Sequence, residues 1–164
     1  MGKRKIKKVV GYISEDISEK FNLEQYKGQE IIQSLDFYFH TSKHINEFET
    51  LDNYNNTITN IDKILSDPYY VYYENDRNSL LYFSELSENV CVVVKLKLRE
   101  NKDNYVATVY PLSKDKVEKF KEKELLDKYI YKVEFAEMLR IVPGNLQECY
   151  LFFCRNITYY SAQK

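Results

Sequence analysis

Residues 69–112 decide the predicted fold, and they read YYVYYENDRNSLLYFSELSENVCVVVKLKLRENKDNYVATVYPL. Four runs rich in β-branched and aromatic residues alternate there with short polar stretches. The runs are Tyr69–Glu74, Ser79–Glu85, Val90–Arg99 and Tyr105–Leu112. Asn75–Asn78 is typical of a tight turn, so the first two runs are predicted to pair as a hairpin. The stretch as a whole predicts a mainly antiparallel sheet.

Helices are predicted ahead of this sheet. Ser14 can cap a helix that runs through Asn22, because apolar residues follow it at fourfold spacing. A second helix is predicted from Leu35 to about Phe48. The spacing places four of its residues on one stripe: Phe37, His40, His44 and Phe48.

The remaining segments are less regular. Asp52–Asn60 is rich in Asn, Asp and Thr and is predicted to be a loop, and Asp67-Pro68 ends the helical turn after it. Ser113 can cap a charged helix from Lys114 to about Asp127, and Cys149–Tyr160 is predicted to be a last strand. The predicted fold is therefore α+β: amino-terminal helices on a curved, mainly antiparallel sheet of four to five strands, with a carboxy-terminal helix and strand extension.

Composition predicts an ordinary folded domain. The chain has 164 residues, of which 44% are hydrophobic and 30% are charged. We expect a basic, flexible amino terminus over 1–8 and a single domain over 9–164. No apolar stretch is long enough for a membrane helix or a secretory signal, so a cytoplasmic protein without membrane contact is expected. Cys91, Cys149 and Cys154 show no CxxC spacing and are expected to be buried thiols.

Charge and motifs exclude several function classes. A formal net charge of −1 argues against nucleic-acid binding by bulk electrostatics, although Lys95, Lys97 and Arg99 gather on one run. The nucleotide-binding, zinc-protease and serine-hydrolase motifs are all missing from the sequence. His40 and His44 stand four residues apart, but two ligands do not make a metal site. No metal and no cofactor is predicted.

The order of several short stretches resembles a family. From Val9 to about Lys121 the chain is similar to the phage-associated branch of the barnase, EndoU, colicin and RelE group of nuclease-like domains. The matching stretches are Val10-Gly11-Tyr12-Ile13, Lys43-His44-Ile45, Ile61-Asp62-Lys63-Ile64-Leu65, Asn78-Ser79-Leu80, Val93-Val94-Lys95-Leu96 and Ala107-Thr108-Val109-Tyr110-Pro111. The resemblance implies a compact α+β fold whose sheet binds RNA, and an origin in a phage, mobile element or toxin system.

The resemblance also implies a chemistry and a set of residues. Active members of the group cleave RNA without metal, through attack of the ribose 2′-hydroxyl on the adjacent phosphate. The candidate catalytic residues are His44, Lys95, Thr108 and Tyr110. His44 would move the proton, Lys95 would stabilise phosphate charge, and Thr108 and Tyr110, two apart on one strand, would face the same side. The candidate substrate-binding residues are Lys97, Arg99, His40 and Tyr82.

Alternatives stay open at this point. Members often carry a second histidine soon after the Lys-His-Ile position, where this chain has Asn46-Glu47-Phe48-Glu49. The protein is therefore expected to be either a metal-independent endoribonuclease or an inactive RNA-binding or protein-binding module on the same fold. In the second case four tyrosines would offer stacking surface: Tyr70, Tyr72, Tyr82 and Tyr105. RNA is the expected partner, and an antitoxin or a host factor is the alternative partner. If the chain is an interaction protein of a phage or mobile element, the charged helix from Lys114 to Asp127 would be its docking surface.

Overall fold

The computed structural model describes residues 7–97 and 103–124. The chain divides into two compact units, Met1–Lys121 and Glu122–Lys164. Nearly all of the second unit lies outside the described residues, as do the predicted strand Cys149–Tyr160, Cys149 and Cys154. The single domain over 9–164 therefore stays a prediction.

Six strands and five α-helices make up the described residues, together with three short 3₁₀ helices. The strands are β1 Lys7–Tyr12, β2 Glu30–Ser34, β3 Tyr70–Glu74, β4 Ser79–Glu85, β5 Asn89–Lys95 and β6 Asn104–Pro111. The α-helices are α1 Glu15–Lys20, α2 Leu35–Thr41, α3 Leu51–Thr59, α4 Ile61–Ser66 and α5 over 114–124. The 3₁₀ helices are Glu24–Tyr26, Ser42–Glu47 and Asn75–Arg77. None of the helices in the described ranges has the length and apolar character needed to cross a bilayer.

The strands form one sheet in the order β1-β2-β6-β5-β4-β3. Every neighbouring pair is antiparallel except β2 and β6, which are parallel. The four-stranded antiparallel part, β3 to β6, confirms the prediction from residues 69–112. The α+β class is also confirmed, although the sheet has six strands rather than four or five.

The two extra strands correct the prediction for the first part of the chain. Lys7 and Lys8, assigned to a flexible terminus, belong to β1 and pair with Ser34 and Gln33 of β2. Ile31 and Ile32 lie in β2, where no strand was predicted. Short apolar runs do not distinguish strand from helix, and here the pairing with β1 and β6 decides the outcome.

One predicted helix and one predicted loop were also wrong in part. The helix expected to continue to Phe48 changes from α to 3₁₀ geometry at Ser42. A 3₁₀ helix has three residues per turn, so the predicted stripe is broken. Asp52–Asn60, predicted to be a loop, lies mostly in α3, which Thr50 caps by accepting a hydrogen bond from the Asn53 amide.

The two faces of the sheet are covered differently. On one face, which we call the core face, alternate strand residues such as Val92 and Val94 pack against α1, α4 and the connecting segments. On the other face, the Phe120 ring of α5 lies 5.2 Å from the Tyr72 ring and 5.4 Å from the Phe83 ring. Helix α5 therefore covers the β3–β4 side of that second face, beside β5 and β6.

Candidate active site

Strands β5 and β6 carry a row of partly exposed side chains on the second face. Along β5 the buried residues Val92, Val94 and Leu96 alternate with partly exposed ones. We call the partly exposed row the open face, and it consists of Val93, Lys95, Lys97, Tyr105, Thr108 and Tyr110. Three of the four candidate catalytic residues lie in this row.

A bulge in β6 determines which residues reach the open face. Val94 pairs with Val106, whereas Val93 pairs with Thr108, so Ala107 is an extra residue in the ladder. Without the bulge, strict alternation from Tyr105 would turn Thr108 and Tyr110 toward the core face. The extra residue reverses that parity, so Thr108 and Tyr110 lie on the partly exposed side. As predicted, the two residues face the same side.

His44 lies at one end of the open face. It belongs to the 3₁₀ helix Ser42–Glu47, and its ring centroid is 6.1 Å from that of Tyr110, with the two planes inclined at 50°. Its Nδ1 lies 2.7 Å from Glu47 Oε1, and 32% of the His44 side chain is exposed. The imidazole is thus held by a carboxylate and an aromatic ring while remaining accessible.

Tyr110 is a neutral phenol at this end of the face. Burial raises its pKa, and so do the nearby Cys91 thiol, to which its side chain is hydrogen-bonded, and the charge of Glu74. Burial likewise raises the pKa of the Cys91 thiol to about 12. Cys91 is buried, as predicted. Tyr110 therefore contributes a phenol dipole and a ring surface rather than a phenolate.

Thr108 lies between the two ends of the open face, directly across from Val93. Its hydroxyl makes one long hydrogen bond, 3.5 Å to the Val109 carbonyl. Bonds of that length are weak, so the hydroxyl can turn toward a ligand at little cost. Thr108 is partly exposed, as a ligand contact requires.

Lys95 stands at the other end of the open face. Its ammonium donates to Ser79 Oγ at 2.7 Å and to the Arg77 carbonyl at 3.0 Å. Burial lowers its pKa, an effect that the nearby Glu74 carboxylate opposes. An ammonium has three N–H donors, and the described residues take two of them. One donor is left for a ligand.

The candidate catalytic residues therefore form two groups rather than one. Tyr110 pairs with Cys91, and Lys95 is four residues further along β5. At about 3.3 Å per residue the two levels of the sheet are about 13 Å apart. His44 and Tyr110 lie together at one level, Lys95 and Ser79 at the other, and Thr108 is between them.

The four candidate substrate-binding residues lie in different environments. Lys97 lies on the open face with its ammonium 5.3 Å from the centre of the Tyr105 ring, which is a cation–π contact. His40 is exposed on α2, whereas Phe37, three residues earlier on the same helix, is buried. Arg99 lies outside the described residues.

The assignment of Tyr82 to substrate binding was wrong. Its side chain is fully buried on the core face, and burial raises its pKa. Neighbouring residues of β4, Leu81 and Phe83, point to the opposite face. Tyr72 is buried too, so of the four tyrosines proposed as a stacking surface only Tyr70 and Tyr105 are partly exposed.

Four residues near the site were not identified from the sequence: Glu47, Glu74, Arg77 and Ser79. Glu74 pairs with Ser79, and Ser79 with Lys95, so all three share one row across the sheet. Arg77 Nε lies 3.8 Å from Glu74 Oε2, and the Arg77 side chain is largely exposed. The pairing register of β4 with β5 was the signal that could have placed Ser79 beside Lys95. Within 7–97 and 103–124 no cluster of three His, Cys, Asp or Glu side chains could hold a metal ion.

Comparison with known families agrees with this arrangement. The sequence profile of PBECR3, the phage-Barnase-EndoU-ColicinE5/D-RelE like nuclease3 family, matches residues 7–119, which is more than half of the chain. The chain belongs to this family. The match spans all six strands of the sheet and includes His44, the open face and the start of α5. No curated protein and no solved structure matches the chain. PBECR3 membership makes this a nuclease-like domain of phage-associated type.

Proposed function

We propose that the domain is a metal-independent endoribonuclease, which cleaves RNA by attack of a ribose 2′-hydroxyl on the adjacent phosphorus. The observation that carries the proposal is the position of His44: an accessible imidazole, oriented by Glu47, at the edge of a sheet face that also presents hydroxyl and ammonium groups. Imidazole is the side chain best suited to exchange protons near neutral pH.

The reaction needs few groups and no added reactant. A base removes the proton of the 2′-hydroxyl, the O2′–P bond forms, and the P–O5′ bond breaks as an acid protonates the leaving oxygen. The products are a 2′,3′-cyclic phosphate and a 5′-hydroxyl. His44 is the acid/base group of this scheme, because a positioned histidine contributes about 10²-fold to 10⁴-fold to such proton transfers.

The second requirement is that charge on the reacting phosphate be stabilised. Thr108 offers a hydroxyl with only one weak bond, midway between the level of Tyr110 and that of Lys95. Lys95 offers the remaining N–H of its ammonium at the other level, together with the exposed guanidinium of Arg77. Groups about 13 Å apart along a strand fit a ligand with several phosphates better than a single ion. The arrangement therefore favours a single-stranded RNA that runs along β5 and β6.

The net charge of the chain is compatible with RNA binding. The chain carries a formal charge of −1, so affinity must come from local positive charge rather than from the whole surface. Lys95, Lys97 and Arg77 supply it at one end of the open face. We expect moderate affinity that falls steeply with added salt.

A substrate in which the 2′-hydroxyl is blocked tests the proposed chemistry. Single-stranded RNA should be cleaved in the presence of a chelator, whereas an RNA of the same sequence with 2′-O-methyl groups should be bound but left intact. The reason is that the methylated oxygen cannot lose a proton and attack. Cleavage of the methylated RNA at the rate of the unmodified one would contradict the proposal.

Lys95 gives a second prediction through its lowered pKa. As pH rises, Lys95 loses its charge below the ordinary lysine value of 10.5, because burial disfavours the ammonium. Affinity for the 2′-O-methyl RNA should therefore fall in the alkaline range below that value. In Lys95→Arg this fall should disappear, since a guanidinium keeps its charge there. Lys97→Arg, two residues along on the same face, is the matched control and should keep the wild-type profile; a wild-type profile for Lys95→Arg would contradict the role of Lys95.

One observation favours a second function, an inactive RNA-binding module. The two groups of polar side chains lie on opposite sides of Val93 and Thr108, about 13 Å apart along the sheet. In addition, the Lys95 ammonium already donates hydrogen bonds to Ser79 and Arg77. Such a module would bind unmodified and 2′-O-methyl RNA alike and would yield no product from either. The experiment with methylated RNA therefore distinguishes the two functions.

A further inference from the structure

We infer that Glu47 is a positioning residue for His44. The Glu47 carboxylate keeps the hydrogen of the neutral imidazole on Nδ1. Nε2 is then the atom that exchanges protons with RNA. The inference deepens the proposed function and rests on it.

The local helix geometry creates the pair. His44 and Glu47 are three residues apart in the 3₁₀ helix Ser42–Glu47, and in such a helix residues i and i+3 lie directly above one another. The helix ends at Phe48, whose amide donates to the Ile45 carbonyl and whose side chain is buried in the core. A buried anchor next to Glu47 thus fixes the position of the exposed pair.

The hydrogen bond determines the state of the imidazole. A carboxylate can only accept, so the 2.7 Å contact between Glu47 Oε1 and His44 Nδ1 requires that Nδ1 carry the hydrogen. In the neutral ring the lone pair is then on Nε2. When Nε2 takes a proton from RNA, the resulting imidazolium lies beside the carboxylate, which stabilises it. The Tyr110 ring also lies beside the imidazole, at a centroid distance of 6.1 Å.

The exposure of the pair separates this role from a structural one. The side chains of His44 and Glu47 are 32% and 52% exposed. Ion pairs at such positions contribute little to stability, because water screens them and ordering two side chains costs entropy. Loss of Glu47 should therefore leave the unfolding midpoint almost unchanged while it alters His44.

Nitrogen NMR of the full chain provides the direct test. The protein has two histidines, so ¹⁵N-histidine labelling gives two sets of ring signals, and His40→Ala assigns them. At a pH about two units above the ordinary imidazole pKa of ~6.5, His44 should show a protonated Nδ1 and an unprotonated Nε2. In Glu47→Ala its signals should move toward those of His40, which is exposed and hydrogen-bonds no described residue. Glu49→Ala, an exposed glutamate two residues further on, is the matched control and should leave His44 unchanged.

Kinetics on single-stranded RNA complete the test. For Glu47→Ala we expect kcat to fall about 10-fold to 100-fold, as for other carboxylates that orient a functional histidine, with little change in KM. His44 signals that are the same in wild type and Glu47→Ala would overturn the pairing. Changed signals with an unchanged kcat would overturn the positioning role. A wild-type protein that cleaves no RNA would instead overturn the proposed function, and the spectra would still report whether the pair exists.

Discussion

Replacing His44 with alanine is expected to lower the rate of RNA cleavage by about 10²-fold to 10⁴-fold, the contribution of a positioned acid/base group. His44 is the histidine that contacts the open face, through Tyr110, and its Nδ1 is held by Glu47. His44 belongs to neither of the two buried core clusters, so the fold should persist without its side chain. The rate of cleavage of a single-stranded RNA in the presence of a chelator measures the effect, and circular dichroism checks the fold.

His40→Ala is the matched control for this prediction. His40 is the other histidine of the chain, it is exposed on α2, and within the described residues no hydrogen bond, ion pair or ring contact joins it to the open face. The rate should stay within about twofold of wild type, as for surface substitutions away from a site. Full activity in His44→Ala would refute the site, and equal losses in the two variants would show that neither histidine has a specific role.

Replacing Asn78 with alanine is expected to destabilise the fold by about 2–4 kcal/mol. Asn78 is the last residue of the turn between β3 and β4. Its φ of 47° lies in the left-handed region, which alanine adopts only with strain. Its side chain also accepts a hydrogen bond from the Tyr73 hydroxyl and donates to the Tyr26 hydroxyl and the Leu96 carbonyl. Of these three partners, Tyr26 and Leu96 are buried and Tyr73 is partly buried, so the lost hydrogen bonds are poorly replaced by water. Urea unfolding measures the loss.

A second left-handed asparagine separates the two contributions. Asn22 has φ 55° but is exposed and makes no side-chain hydrogen bond within the described residues. Asn22→Ala should therefore cost about 1 kcal/mol, the strain alone. Asn78→Gly should recover that strain and keep the loss of hydrogen bonds. Equal destabilisation by Asn22→Ala and Asn78→Ala would show that the hydrogen bonds of Asn78 contribute nothing.

The part of the fold that could be predicted from the sequence is the part with local signals. The β3–β4 hairpin was predicted because a four-residue polar turn separates two alternating runs, and β5 and β6 because their β-branched content is high. Strands β1 and β2 were missed because their partners are distant in sequence. β2 pairs with β6, about 70 residues further on, and no local pattern records that contact.

The site was predictable residue by residue but not as an arrangement. The resemblance pointed to His44, Lys95, Thr108 and Tyr110, and the structure places three of them on one face with His44 at its end. The bulge at Ala107, which turns Thr108 and Tyr110 to that face, has no signature in the sequence. Tyr82 was misassigned because strand alternation gives two faces without saying which one is buried. Glu47 was not selected, because a spacing of three residues between a histidine and a glutamate is common on helices and does not by itself indicate a hydrogen bond.

The chemical nature of the RNA ends tests the central claim most directly. A single-stranded RNA is incubated with the full chain in the presence of a chelator, and the ends of the fragments are identified by mass spectrometry. Attack by the 2′-hydroxyl predicts fragments with 2′,3′-cyclic phosphate ends and new 5′-hydroxyl ends. Fragments with 3′-hydroxyl and 5′-phosphate ends, which form when water attacks the phosphorus, would contradict the account, and so would intact RNA.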